Sequence, residues 1–229
     1  MIGELPLLTI RRHFPRPGAD EIAAFAGVQT GHAVDAAGGR GALDYRIKPL
    51  APPATTLVGV ALTCKAGPND NLALFGAIAV AQPGDIIIAA TDSFTGAAVA
   101  GDLLAGMMRN QGVQGFVTDG LMRDVPGVLG VGLPVYCAGV SPNSPDRNGP
   151  GSIGLPVIVG GVAVESGDLV IGDGDGVVII PRARIAAVRA ALAGVLAAEA
   201  ELEAKVKAGL AIPDFVLAIL QSSRVVEIE

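Results

Sequence analysis

An α/β body is the fold class this sequence predicts, on three observations. Short β-branched runs recur through the middle of the chain, at 57–63, 86–90 and 115–119. Helix-forming stretches separate them, bounded by Gly, Pro, Asp or Asn. The third is composition: the chain is 51% hydrophobic with 32 glycines, yet only 3% aromatic and without Trp. Small aliphatic side chains must then fill the core, which suits closely packed sheets and helices. Strands alternating with helices mark the α/β class.

Taken in order, residues 1–50 read as helical at first and then irregular. Asp20 is placed to cap a helix through Glu21–Phe25, and a second short helix covers Gly31 to Ala37 before the turn-rich Gly38-Gly39-Arg40-Gly41. Leu57–Thr63 is a strand by its alternation and β-branched content. Gly67-Pro68-Asn69-Asp70 then opens a helix to about Ala81, with Pro68 near its first turn. After the turn Gln82-Pro83-Gly84-Asp85, Ile86–Ala90 is a buried strand. A helix over 102–110, a strand over 115–119 and a strand over Val135–Ala138 follow. Residues 153–181 carry short strands separated by Gly-Gly, Ser166-Gly167-Asp168 and Asp173-Gly174-Asp175-Gly176, a β-meander pattern. From Ala183 to Gly209 runs a long Ala-rich helix, with Glu199, Glu201 and Glu203 ahead of Lys205 and Lys207. That charge order suits the helix dipole. Its length makes packing against another subunit an expectation. No linker interrupts the chain, so residues 1–229 are expected to form one domain.

At 229 residues there is enough chain for a sizeable core. The net charge of −6 argues against nucleic acid or an acidic membrane as principal partner. Cys64 and Cys137 lie far apart without CxxC spacing, so two buried thiols in a reducing compartment are expected rather than a disulfide. The N-terminus lacks a basic segment followed by an apolar core, and the apolar stretch 153–164 is too short to span a bilayer. A cytoplasmic location is the resulting expectation.

The densest chemical signal is Gly101-Asp102-Leu103-Leu104, then Gly115–Asp119, then Gly120-Leu121-Met122-Arg123-Asp124. Nine helical residues travel about 13 Å outward. A five-residue strand returns about 16 Å. The helix start and the Arg-Asp pair can therefore meet. Free N–H groups in the first helical turn, with the positive end of the dipole behind them, make an anion site, and Gly101 lets a ligand approach closely. Asp124 can offer a hard oxygen to Mg²⁺ or Mn²⁺, and Arg123 can hold a carboxylate bidentately. Together they suit a 2-oxo acid whose keto oxygen takes up charge. Helix capping is the competing reading for Asp102, and a simple loop ion pair for Arg123 with Asp124.

Capping is favoured for Asp70 and Asn71, which lie near another helix start. Asp92, Asp119, Asp146 and Arg147 are candidate rim residues, with turn roles as the alternative. Asp173–Gly176 fails the spacing of a calcium loop and reads as a tight turn. His13 and His32 are too isolated for zinc, and His32 is a candidate proton relay with a surface or capping role favoured. No GxSxG, P-loop or strand-linked GxGxxG is present.

The segment Gly101-Asp102-Leu103-Leu104…Thr118-Asp119-Gly120-Leu121-Met122-Arg123-Asp124 resembles the RraA-like family, whose signature is an acid, twenty residues, then Arg-Asp. The resemblance covers about residues 25–215. The family includes the 4-hydroxy-4-methyl-2-oxoglutarate and 4-carboxy-4-hydroxy-2-oxoadipate aldolases. It implies a layered α/β fold with a swivelling ββα-type sheet core, assembled as trimers or dimers of trimers with sites between subunits. It also implies metal-dependent retro-aldol release of pyruvate, with oxaloacetate decarboxylation as a side activity. On that likeness Asp124 binds the metal partly through water. Arg123 and the backbone amides of Leu103 and Leu104 hold the pyruvate unit, and Asp102 orients a water. Asp35, where the family leads one to expect Glu, and Glu199 are the nearest candidates for acids supplied by a neighbouring subunit. The neighbourhood of Ser144–Gly149 is a candidate border for the distal part of the substrate. The competing expectation is a non-catalytic RraA-type regulator that binds an RNA-degrading enzyme.

Overall fold

The computed structural model describes residues 6–228. In chain order the first part runs β1 (Leu8–Ile10), α1 (Ala19–Ala23), α2 (Thr30–Ala36), β2 (Lys48–Pro49), β3 (Leu57–Lys65), α3 (Leu72–Val80) and β4 (Asp85–Ala90). Next come β5 (Ala98–Ala100), α4 (Asp102–Asn110), β6 (Gly115–Thr118), β7 (Leu121–Met122), α5 (Val125–Val131), β8 (Val135–Cys137) and β9 (Gly139–Val140). The remainder is β10 (Gly151–Ile153), β11 (Val157–Val159), β12 (Val162–Val164), β13 (Leu169–Gly172), β14 (Val177–Ile180), α6 (Ile185–Lys207) and α7 (Asp214–Leu220). The chain divides into two compact units, one ending at Leu192 and the other beginning at Ala193, so the boundary falls inside α6.

Within the first unit, β3, β4, β6 and β8 are parallel neighbours, with α3, α4 and α5 in the intervening connections. The full strand order is β1-β10-β3-β4-β6-β8-β2, with the β13–β14 hairpin attached to β3. Parallel strands covered on both faces lose the apolar-polar alternation. Every residue of β4 and β6 is accordingly buried. The period of two survives in where the side chains go. Ile87 and Ala89 join one apolar cluster with Leu62, Leu74, Met108, Phe116 and Met122. Ile86 and Ile88 join the other with Val117, Tyr136, Val170 and Ile179. β3 serves two partners along its length: Lys65 and Cys64 face β10, while Val60 to Leu57 face β13. On the β4 side, Gly59 permits the close approach of the preceding turn, because a Cβ there would sit 2.7 Å from the Gly84 carbonyl oxygen.

The feature that positions the site is a second, three-stranded parallel sheet, β5-β7-β9. Each of its strands follows one strand of the large sheet: β5 follows β4, β7 follows β6, and β9 follows β8. The carboxyl ends of three neighbouring strands are thus gathered a second time before the chain enters α4 and α5. Between Ala98↔Leu121 and Ala100↔Met122 the register shifts by one residue, a bulge that puts Val99 out of the ladder.

A polar clasp joins the loop before α3 to residues 146–149. The Asp70 carboxylate accepts the N–H groups of Leu72 (2.8 Å), Asn148 and Gly149 (3.0 Å). The Asn71 N–H donates to the Asp146 carbonyl at 3.0 Å, and the Asp146 N–H to the Asn69 carbonyl at 2.7 Å. A second buried carboxylate, Asp85, is paired by the Arg16 guanidinium and accepts the Gln82 N–H at 2.8 Å.

Several local expectations need correction. The two short helices expected before residue 50 are present as α1 and α2, but two strands were not expected there: β1 pairs in parallel with β10, and β2 pairs with β8. Both strands are too short for a periodic signal, and tertiary pairing decides them. Asp20 lies inside α1, which Gly18 precedes; the Glu21 carboxylate accepts the Gly18 N–H at 2.8 Å. The helix expected from Gly67 begins at Leu72, because residues 69–71 take part in the clasp and Gly67 and Asn69 take positive φ. β5, β7, β9, α5 and α7 carried no readable signal. The strands of 153–181 are present, but the β11–β12 hairpin forms its own sheet while β13–β14 joins the large one. Asp173–Gly176 is a tight turn as expected, closed by the Asp173 N–H donating to the Gly176 carbonyl, and the Asp173 carboxylate accepts the Thr30 N–H and hydroxyl.

Two stability predictions follow from the buried carboxylates. Asp70→Ala leaves three backbone donors without their acceptor, and about 1–3 kcal/mol of unfolding free energy is expected to be lost. Asp85→Ala strands Arg16 and is expected to cost about 3 kcal/mol. Urea unfolding of each variant checks both, and a midpoint equal to wild type in either case contradicts the corresponding account.

Candidate active site

Gly101 is the N-cap of α4 and follows β5; Arg123 follows β7; Asp124 is the N-cap of α5. The Arg123 N–H donates to the Ala100 carbonyl at 3.0 Å, extending the β5–β7 ladder by one step. Gly101 and the Arg123-Asp124 pair are therefore held side by side by backbone pairing. The contact is so close that a Cβ on Gly101 would fall 2.4 Å from Asp124 Oδ2 and 3.0 Å from Arg123 Cγ. Gly127, in α5, plays the same part for Asp102: a Cβ there would meet Asp102 Oδ2 at 2.5 Å.

Asp124 has φ 55° and ψ 41°, the left-handed region in which Asp is tolerated better than most residues. Its carboxylate does not cap α5. Instead Oδ2 accepts the Arg123 Nε–H at 2.9 Å, leaving Oδ1 without a protein donor among the described residues. The Arg123 guanidinium is also anchored by the Ser144 hydroxyl through Nη1. Asp102 is the first residue of α4 and not its side-chain cap, a correction to the capping reading; its Oδ1 accepts the Leu103 N–H at 2.7 Å. A ligand carboxylate that used the Leu103 amide would have to displace Asp102 from it. Leu104 lies in the same first turn, where N–H groups precede any helical acceptor.

These groups line one cleft of about 300 Å³. Gly101, Asp102, Leu103, Leu104, Arg123 and Asp124 all border it, so the proposed substrate-binding and metal-binding residues converge. Of the four candidate rim residues, Arg147 borders the cleft, its guanidinium 5.5 Å from the centre of the Phe75 ring. Asp92 pairs instead with Lys65, Asp119 binds the Thr91 and Ser93 backbone N–H groups, and Asp146 belongs to the clasp. Asn71, Phe75, Met107, Ser144 and Pro145 complete the lining. Phe75 and Met107 carried no chemical signal in the sequence, and Asn71 stood there as a cap. Asn71 is the N-cap residue of α3 by backbone, but its side chain does not cap.

Asp35 lies exposed on α2, in a separate concavity beside Ala42 and Val178. Glu199 lies on α6 in the second unit. His13 sits in another hollow with Arg11 and Arg182, and His32 on α2. No cluster of three or more His, Cys, Asp or Glu that could hold a metal occurs among the described residues. The cleft does offer two carboxylates, Asp102 and Asp124, and a hard cation that keeps most of its waters needs only one or two. The donor set therefore fits Mg²⁺ or Mn²⁺ and does not fit zinc. Nucleophilic catalysis by sulfur finds no place here: both cysteines are buried and free, and burial pushes the Cys64 thiol up to about 12. No helix among the described residues is long and apolar enough to cross a membrane.

A family profile described as RraA-like, Aldolase/RraA, matches residues 28–179. A protein of Halalkalibacterium halodurans, named provisionally as a 4-hydroxy-4-methyl-2-oxoglutarate aldolase, is 37% identical over 163 residues, 71% of this chain and 77% of its own. Among solved structures, an uncharacterized protein from Pseudomonas syringae pv. tomato matches with a TM-score of 0.74 at 23% identity, covering 86% of this chain and 96% of its own. Streptomyces coelicolor RraAS2, described as an unusual member of the RNase ES inhibitor RraA protein family, matches with a TM-score of 0.72 at 25% identity, covering 84% and 100%. With the signature residues gathered in one cleft and the profile spanning most of the ordered core, this chain belongs to the RraA-like Aldolase/RraA family.

Proposed function

We propose that the protein is a divalent-metal-dependent carbon–carbon lyase. On this reading it cleaves a 4-hydroxy-2-oxo acid of the 4-hydroxy-4-methyl-2-oxoglutarate type to release pyruvate, with decarboxylation of oxaloacetate as a second activity. The observation that carries this is the convergence of the α4 start, the Arg123 guanidinium and the Asp124 carboxylate on one cleft. The name of the Halalkalibacterium halodurans relative supports the same chemistry.

In this mechanism the carboxylate of the pyruvate unit lies against the Leu104 N–H and Arg123. Loss of the C4 hydroxyl proton to a base lets the C3–C4 bond break. The hydroxyl-bearing carbon becomes a carbonyl, and the electron pair passes to the pyruvyl fragment as an enolate. Arg123 stabilises that charge as it develops, and a proton delivered to C3 completes pyruvate. Asp102 and Asp124 order the water that exchanges these protons. Asp124 would hold Mg²⁺ or Mn²⁺, which supplies Lewis-acid stabilisation at the keto oxygen. Oxaloacetate enters the same scheme with CO₂ in place of the departing carbonyl.

The assembly we propose is a homotrimer or dimer of trimers, with Asp35 and Glu199 as candidate acids offered to a neighbouring subunit's cleft. Apolar side chains left exposed on the second unit support assembly: Leu202, Val206, Phe215 and Leu220 are each about half exposed or more, and α7 buries no residue. The substrate is small, and neither nucleic acid nor membrane is a proposed partner. A regulatory reading, binding a ribonuclease without turnover, is favoured by one observation, the likeness to RraAS2.

Pyruvate release from 4-hydroxy-4-methyl-2-oxoglutarate and from oxaloacetate, with Mg²⁺ or with EDTA, tests the proposal. Asp124→Ala is expected to lower kcat/KM at least about a hundredfold, the scale on which losing one charge-stabilising group acts. Folded, metal-supplied wild type that releases no pyruvate from either compound would sink the lyase reading. Gly101→Ala should displace the Arg123-Asp124 pair and reduce kcat/KM about tenfold or more at an unchanged circular dichroism spectrum. Wild-type kinetics in that variant would show that the close approach is unimportant.

A further inference from the structure

The Arg123 guanidinium is held at two of its three nitrogens. Nε donates to Asp124 Oδ2 at 2.9 Å, and Nη1 donates to the Ser144 hydroxyl. Nη2 makes no hydrogen bond among the described residues, and Asp124 Oδ1 accepts none. Arginine and carboxylate commonly close on each other as a fork of two parallel N–H···O bonds, the stronger geometry. Here the fork would need Nη2 to turn onto Oδ1. The pair stands one bond short of it, so some other group holds it open.

Ser144 is placed to do so. It is exposed, but its backbone is not free to follow the guanidinium. Ahead of it, the Ser141 N–H donates at 2.9 Å to the carbonyl of Met122, the residue before Arg123, and the Ala98 N–H donates to the Asn143 carbonyl at 3.0 Å. The Asn143 side-chain amide adds a bond to the Gly96 carbonyl at 2.9 Å. Behind it, the clasp fixes Asp146. A hydroxyl anchored from both sides restrains a rigid planar cation that is otherwise hinged at Nε alone. We infer that Ser144 is a positioning residue that holds Arg123 turned away from Asp124 Oδ1. The free guanidinium edge then stays available to an anion, and the free carboxylate oxygen to a divalent cation. Without the hydroxyl, Arg123 folds back onto Asp124 and each satisfies the other. The inference rests on the reading of this cleft as a metal and 2-oxo acid site, and it names the residue that keeps both halves open.

The test reads Mn²⁺ binding to the whole chain by electron paramagnetic resonance, without substrate, in wild type, Ser144→Ala and Ser144→Thr. The Ser144→Ala substitution is also made in an Arg123→Ala background. Alone, Ser144→Ala is expected to weaken Mn²⁺ binding about tenfold or more, the scale on which losing a group that orients a metal ligand acts. Ser144→Thr keeps a hydroxyl and should restore most of the affinity. Once Arg123 is gone there is no guanidinium to restrain, so the same substitution should then change the affinity less than about twofold. A merely structural role would weaken binding in both backgrounds. If Ser144→Ala fails to fold, Ser144→Val set against the near-isosteric Ser144→Thr gives the same comparison. Wild-type affinity in Ser144→Ala, equal losses with and without Arg123, or no Mn²⁺ binding by folded wild type overturns the inference. Pyruvate release assayed on the same samples separates it from the lyase reading. Mn²⁺ binding coupled to Ser144 without turnover defeats the lyase and leaves Ser144 its role, whereas turnover with Mn²⁺ affinity indifferent to Ser144→Ala does the reverse.

Discussion

The site depends on the pairing of two very short strands, β5 and β7. Three residues and two residues make a marginal ladder by themselves, and nothing in isolation would hold them together. They pair because β4 and β6 already run parallel and side by side in the buried sheet, delivering their continuations to neighbouring places. The Arg123 N–H to Ala100 carbonyl bond is the last rung. It sets Gly101 so close to Asp124 that any Cβ there would push the carboxylate aside. Everything proposed for the cleft passes through that rung.

Energetics separates what holds the fold from what the cleft retains at a cost. Asp70 and Asp85 are buried and saturated with donors, so their removal should be felt in stability. The Arg123-Asp124 pair has side chains 35% and 41% exposed. Ion pairs so placed contribute about 0–1 kcal/mol. Asp124 also occupies a left-handed conformation, which costs about 1 kcal/mol or more for a non-glycine residue. An N-cap Asp that forgoes capping, adopts a strained φ and gains only an exposed ion pair is not explained by folding. The proposed function accounts for it, because the arrangement presents a guanidinium and a carboxylate oxygen to the same small volume.

The sequence disclosed what depends on local periodicity and chemistry. The apolar runs of β3, β4 and β6 and the span of α4 were readable, since burial on both faces and helix punctuation leave local marks. So was the convergence of Asp102, Arg123 and Asp124, though its cause was misjudged. The out-and-back travel of helix and strand brings the two segments near each other, but the β5–β7 pairing sets their contact, and two-residue strands have no period to detect. The clasp was hidden for a different reason. Asp70 and Asn71 look like caps, and Asp70 does accept the Leu72 N–H, yet its other oxygen serves residues 78 and 79 positions away. Sequence separation of that size leaves no trace in composition or spacing.

The clasp also explains why the cleft has a specific far wall. Ser144, Pro145 and Arg147 reach the cleft because residues 146–149 are tied, backbone to backbone and through Asp70, to the turn that leads into α3. That same turn supplies Asn71, and the first turns of α3 supply Phe75, over which Arg147 rests. One set of hydrogen bonds therefore places Asn71, the aromatic surface and the second guanidinium together, opposite the wall built by the β5–β7 rung. The near wall presents charge and first-turn N–H groups suited to a reaction centre. The far wall contributes Asn71, whose Oδ1 is buried without a donor among the described residues, and a cation resting on an aromatic ring. The two walls are tied to each other by the Asn71 Nδ2 bond to the Val99 carbonyl and by the Ser144 hydroxyl on Arg123, so a substitution in the far wall is felt at the rung that sets Gly101 against Asp124.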